Sequence, residues 1–288
     1  MRKMSAQTMG NKGPERALRH LEQVLTEELE PLARPNGRPS RPLERMRRFY
    51  RSAKRVAWDV SDLPWDTQPV VPRADSERWR LVWGSVIQQQ LQADQTAVDA
   101  ATRLLLQVPE PEARMYYSTM VQDEARHIEG WTRLASSLEP VDGFSPYFAE
   151  LSEKFLECEL LEESVLLFQV LFEGCALEAF REIAKTTEQT VLGAMANKLI
   201  VDDAIHHRSG VTYEEHLLSN ASKAMKGHLS DVLRRYMPLY IENLTWRPPV
   251  RRWLNAGMAE HDRYVVKRNQ LLMSRSVTEL GLKAPFDL

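Results

Sequence analysis

From Ala74 onward, apolar residues recur every three or four positions, the period of a helix with one buried face. Trp79, Trp83, Ile87 and Leu91 follow at spacings of four, behind Asp75 and Ser76, either of which can cap a helix. The same pattern predicts a second helix from about Glu112 to Leu134. A third is expected over roughly 147–184, with room for a kink, and a fourth over about 188–219, interrupted or ended near Ser209-Gly210. Two more follow over 220–243 and 251–275, parted by Trp246-Arg247-Pro248-Pro249. Upstream, Leu18, Leu21, Leu25 and Leu29 mark a short amphipathic helix between Glu15 and Glu30, followed by a proline-rich linker from Pro31 to Pro39. No period-two alternation lasts long enough to build a sheet. The expected fold is all-α: a four-helix bundle with additional N- and C-terminal helices. Residues 1–45 are expected to form a polar extension carrying the short helix, and residues 46–288 a single helical domain.

The chemistry sits on two of these helices. Asp123-Glu124-Ala125-Arg126-His127 and Asp202-Asp203-Ala204-Ile205-His206 each place a carboxylate three residues before a histidine. On a helix that spacing puts both side chains on one face, one turn apart, where an oxygen and a nitrogen can grip one cation. Thirty residues before Glu124 stands Asp94, and thirty before Asp203 stands Glu173. In an antiparallel hairpin, residues equidistant from the turn lie at the same height. The midpoint of the first pair falls in Val108-Pro109-Glu110-Pro111, a helix-breaking turn, and that of the second in the polar stretch Lys185–Gln189. A lone motif of this kind is more often a solvated ion pair. Two of them, each level with a carboxylate on its own hairpin and flanked by apolar residues, point to a di-metal site. Five residues on, Asp99 and Glu178 are fallback ligands for Asp94 and Glu173.

These motifs, their offsets and the segment Trp58–Trp65 resemble the ferritin-like di-iron carboxylate superfamily, in its oxygen-activating branch, over roughly residues 50–215. The resemblance implies a ferritin-like four-helix bundle and a cofactor of two iron ions, with a manganese–iron pair possible. It implies Asp94, Glu124 and His127 around one ion and Glu173, Asp203 and His206 around the other, with Glu124 and Asp203 as bridges. Asp123 would orient His206 and Asp202 would orient His127, with Arg126 beside these acids. The commonest ligand set of that superfamily has four glutamates, whereas two of the four here are aspartates. The implied activity is an oxidoreductase of the monooxygenase kind, hydroxylating or N-oxygenating a small organic substrate with dioxygen. A metal-binding or ferroxidase-like bundle is the alternative. A radical-bearing subunit of the ribonucleotide-reductase kind needs a tyrosine about one turn beyond the first histidine, where this chain has Trp131. A homodimer is plausible from the same resemblance.

Composition changes this picture little. The 288 residues carry a formal charge of −2, which offers no electrostatic case for nucleic acid or an anionic membrane. The basic run Arg45–Arg51 reads as one solvated face of a helix. No run of eighteen apolar residues occurs, no secretory signal is expected, and Cys158 and Cys175 make no disulfide framework, so a soluble cytoplasmic protein is expected. No flavin or nicotinamide fingerprint is present, so electrons are expected from a separate reductase. His207 is expected to face a neighbouring helix or water, and His216 and His228 to be structural, without carboxylate partners. Tyr116 and Tyr117 read as core or channel lining, and the Gln88–Gln92 cluster as hydrogen-bond donors near the site or a subunit contact.

Overall fold

Each apolar stripe becomes a helix, and the helices pair as the turn residues dictate. The computed structural model describes residues 40–70, 76–138, 144–246 and 259–284. The helices are α1 (Arg41–Val56), α2 (Ser76–Gln107), α3 (Pro111–Ala135), α4 (Pro146–Glu157), α5 (Leu161–Ser164), α6 (Glu173–Thr186), α7 (Val191–Leu218), α8 (Lys223–Thr245) and α9 (Ala259–Glu279). A π-helical stretch, Val165–Phe172, joins α5 to α6, and a single 3-10 turn, Val60–Asp62, follows α1. No strand occurs among the described residues. No helix there is long and apolar enough to cross a membrane. The leucine-bearing helix expected over Glu15–Glu30 lies outside the described residues.

The bundle is two antiparallel hairpins laid together. Pro111 at the first turn of α3 needs no hydrogen-bond acceptor for its nitrogen, so the chain reverses between Gln107 and Pro111 at no cost in lost bonds. The second hairpin turns at Thr187–Thr190, where Gln189 adopts φ 67° and the Thr190 hydroxyl caps the Gly193 amide at 3.0 Å. α1 packs across α3 and α7, α8 lies on α4, and α9 rests on α6. Leu43 and Met46 both enter the core from α1, so residue 45 lies inside a helix rather than at its edge. The basic run forms the outer part of that helix while Met46 and Phe49 point inward, and Arg45 lies 3.7 Å from Glu215.

Two expectations fail in the second half of the chain. The third helix is not one kinked rod: it breaks at Cys158–Leu160, and its continuation widens into the π-helical stretch. The fourth does not stop at Ser209-Gly210 but runs unbroken to Leu218. Gly210 is required there for another reason. A Cβ at this position would come within 2.5 Å of the Gln169 Cβ, so glycine lets α7 close onto the π-helical backbone.

Along α3 and α7 the apolar packing divides in two. Tyr116, Tyr117 and Met120 join a cluster with Phe168 and Tyr213, while Trp131 and Leu134 join a second with Trp58, Met195 and Leu199. The carboxylate–histidine motifs fall between the two clusters, in the middle of the bundle.

Candidate metal centre

Four helical segments deliver six side chains to this midpoint. Asp94 comes from α2, Glu124 and His127 from α3, Glu173 from the junction of the π-helical stretch with α6, and Asp203 and His206 from α7. All six are buried. Ligand atoms of Asp94, Glu124 and His127 lie within 4.8 Å of one another, as do those of Glu124, Glu173 and His206. Glu124 is common to both groups, one oxygen 3.3 Å from His127 Nδ1 and the other 3.0 Å from His206 Nδ1. Asp203 belongs to neither triad; its nearer oxygen is 3.8 Å from His206 Nδ1, and it lines the cavity beside Glu173. Asp99 is exposed and Glu178 is held by Arg181 and Arg268, so neither fallback carboxylate joins the cluster.

The contacts among these groups favour a shared cation over hydrogen bonds. His206 Nδ1 and Glu124 Oε1 approach to 3.0 Å, yet neither has a hydrogen-bond partner, and the same is true of Glu173 Oε1. Four carboxyls packed this tightly cannot all ionise without a counter-charge. Burial, then the neighbouring Glu124 carboxylate, pushes Glu173 up to about 7. Burial raises Asp94 and Asp203 well above the carboxylate range, aided by Glu124 and Glu173. Burial opposes ionisation of Glu124 too, but the adjacent His127 and His206 imidazoles prevail and hold it at about 2. The donor set is two imidazole nitrogens and four carboxyls. It suits a pair of ions such as iron or manganese.

A second set of side chains orients the histidines, and it crosses between motifs. His127 Nε2 lies 3.1 Å from Asp202, and His206 Nε2 lies 3.5 Å from Asp123. Each imidazole can therefore donate outward from Nε2 and turn Nδ1 toward the cluster. Arg126 bridges the two acids, 2.6 Å from Asp123 and 3.0 Å from Asp202. His207 is turned away from the cluster, its Nε2 3.1 Å from the Ser276 hydroxyl on α9, and burial lowers it to about 4. His216 and His228 do have carboxylate partners, Glu110 at 3.1 Å and Glu163, because other helices bring those acids across.

Three participants carry no motif. Trp58 donates its indole N–H to Asp202 at 2.8 Å, stacks along His127 and lies under Arg126. Trp131 donates to Asp94 at 2.6 Å. Gln169, in the π-helical stretch, donates to the His206 carbonyl at 3.1 Å. For Trp131 the available signal is its position, one turn beyond His127. Trp58 opens the segment Trp58–Trp65 that takes part in the family resemblance, though its contact with Asp202 carries no spacing signal, and Gln169 has none at all.

Beside the carboxylates opens a cavity of about 260 Å³ between α2, α4, α6 and α8. Asp94, Glu124, Glu173 and Asp203 form its floor. Phe148, Phe172, Ala176 and Ile183 give it apolar walls, and Gln89 and Gln90 lie along one side. A divalent pair on that floor would therefore meet whatever occupies the cavity.

No family model matches the chain, and no curated protein matches it by sequence. Solved structures do. The dimanganese(II) form of NrdF from Streptococcus sanguinis superposes with a TM-score of 0.60 at 12% identity, covering 90% of this chain and 94% of that one. A mutant of an R2-like ligand-binding oxidase, with an aerobically reconstituted Fe/Fe cofactor, gives 0.55 at 14% identity, covering 81% and 93%. Another mutant, with an Mn/Fe cofactor, gives 0.51 at 14% identity, covering 82% and 91%. At these identities the likeness establishes the fold: the chain is an all-α, ferritin-like bundle of the R2 type.

Proposed function

We propose that this chain is a di-metal oxidoreductase that activates dioxygen and oxidises a small organic molecule held in the adjoining cavity. The carrying observation is the sharing of Glu124 between two buried carboxylate–histidine triads. Asp94, Glu124 and His127 would hold one ion, and Glu124, Glu173 and His206 the other, with Asp203 close by. Two irons, or manganese with iron, are the ions this donor set and the Fe/Fe and Mn/Fe neighbours favour. Bound there, such a pair supplies the electrons that reduce dioxygen.

The protein's own residues do the rest. Asp202 and Asp123 fix both imidazoles with Nδ1 toward the cluster, and Arg126 between the two acids offsets part of their charge. Trp58 covers the Asp202–His127 side from the segment after α1 and helps keep water out. The apolar cavity wall binds the body of the substrate, and the amides of Gln89 and Gln90 orient a polar group on it. At about 260 Å³ the cavity fits a molecule at or below the small end of drug-sized ligands. A separate reductase would replace the electrons that such a pair gives up. A storage or ferroxidase role would leave this cavity without a purpose.

The test is anaerobic loading with Fe(II), metal analysis, and optical absorption after mixing with dioxygen. About two metals per chain and a new visible band support the reading. The result against it is one metal or none, or normal stoichiometry in both Glu124→Ala and His206→Ala.

A further inference from the structure

The charge along the cavity wall is one-sided. Beyond the four floor carboxyls, Glu178 and Glu182 further along α6 and Asp262 on α9 line the same space. No lysine, arginine or histidine lines it among the described residues. Two divalent ions would match the four floor carboxylates charge for charge, with both imidazoles as neutral ligands. Glu178 is matched as well. Arg268 donates to both of its oxygens, at 3.1 and 3.2 Å, and Arg181 donates to one of them. Both arginines stand outside the lining and are more than one-third exposed, so their charge goes to Glu178 and not to a guest. Glu182 is different. It stands one turn after Glu178, half-buried, and its carboxylate makes no hydrogen bond or ion pair among the described residues. Only the more distant charge of Arg268 acts on it.

The uncharged part of the lining suits a guest of the opposite sign. Phe144, Phe148 and Phe172 stand ring against ring, with centroids 5.4 and 5.6 Å apart, and Tyr240 and Trp246 bring two more rings. An aromatic face is the negative side of the ring quadrupole and attracts a cation that has shed its water. Gln89 donates its amide nitrogen to Ser85 at 3.3 Å, which leaves the amide oxygen to accept. Gln90 and Asn243 line the cavity with amides that can accept in the same way. A carboxylate or phosphate on this wall would find no basic side chain among the described residues and would face the unmatched charge of Glu182.

We propose that the cavity selects a small organic cation: a protonated amine with an apolar body. Its N–H groups donate to Glu182 and to the lining amides, and its carbon skeleton packs against the aromatic rings. An aliphatic amine carries its proton at neutral pH, as a lysine side chain does. Glu182 is the residue that sets the preference, because it is the lining carboxylate that neither the metal pair nor an arginine matches. As a choice of substrate class this rests on the proposed function, since the guest lies in the cavity where oxidation takes place.

The test reads binding rather than turnover. The full chain, loaded with redox-inert Zn(II), is titrated calorimetrically with phenethylamine, phenethyl alcohol and phenylacetate, three molecules of similar shape with a cationic, a neutral and an anionic head. The amine should bind about 10-fold more tightly than the alcohol, as one ion pair and one cation–ring contact together supply, and phenylacetate should bind most weakly. Glu182→Gln, which keeps the shape, should weaken the amine about 5-fold, the upper end for an ion pair open to solvent, and leave the alcohol unchanged. Alcohol or phenylacetate binding as tightly as the amine overturns the proposal. So does an equal loss for all three in Glu182→Gln, no loss for the amine, or failure of all three to bind. Metal analysis of the same samples keeps the two readings apart. Protein that takes up no metal sinks the proposed function, while the amine-to-alcohol ratio in wild type and variant still decides what the cavity prefers.

Discussion

Asp202→Asn is the substitution that most directly asks whether the buried acids tune the metal ligands. One oxygen of Asp202 receives three donors: the Trp58 indole at 2.8 Å, Arg126 at 3.0 Å and His127 at 3.1 Å. Asparagine keeps an acceptor of the same size and removes the charge. His127 then loses the partner that makes it a stronger ligand and fixes its tautomer, and affinity for the ion on the His127 side should fall about 10- to 100-fold. That is about 1.4 to 2.7 kcal/mol of binding free energy. Folding should suffer by a comparable amount, about 1–3 kcal/mol, because Arg126 keeps Asp123 at 2.6 Å and is not left as an unpaired buried charge. The assay is a calorimetric titration of apo-protein with Co(II) or Fe(II), resolving two binding events, beside a thermal melt. Asp123→Asn is the matched control: its bond to His206 is longer, 3.5 Å, so it should weaken the other ion, and by less. Equal losses at both sites in either variant, or none, would refute the crossed arrangement.

Four further outcomes follow from the same geometry. Trp131→Phe removes the 2.6 Å donor to Asp94, so metal on the Asp94 side should weaken while His206-side binding holds; titration of the two ions checks this. Gly210→Ala forces a methyl to within 2.5 Å of Gln169 and should cost about 1–3 kcal/mol, read as a lower melting temperature. Ala176→Phe fills the cavity and should abolish small-molecule oxidation while metal content stays at the wild-type level. The metal-free protein should lose stability as pH rises from about 5 to 8. Glu173, Asp94, Asp203, His127 and His206 all have raised values, so the folded state binds more protons than the unfolded one across that window. Added metal should displace those protons and reverse the slope, so a melting series with and without metal would decide it.

Helical period, two prolines at one turn and a polar break at the other were enough to place both hairpins, because local spacing and turn chemistry act within a few residues. The same local rules put Glu124 with His127 and Asp203 with His206 on single helix faces, and the equal offsets put Asp94 and Glu173 at matching heights. They could not show that α7 continues past Gly210, since that glycine answers to the backbone of Gln169 on another segment. Nor could they show that the third helix breaks and widens just before Glu173, which depends on how the two hairpins press together.

The sequence by itself therefore determined the helical class, the pairing of the two hairpins and the faces on which the candidate ligands stand. Only the tertiary structure decided that Glu124, and not Asp203, stands in both triads, that Trp58 and Trp131 hold the acids, and that a cavity opens on the carboxylate floor. Those features arise where side chains from three or more helices meet. Their distances are set by the packing angle and depth of whole elements, which no spacing within one stretch of chain encodes.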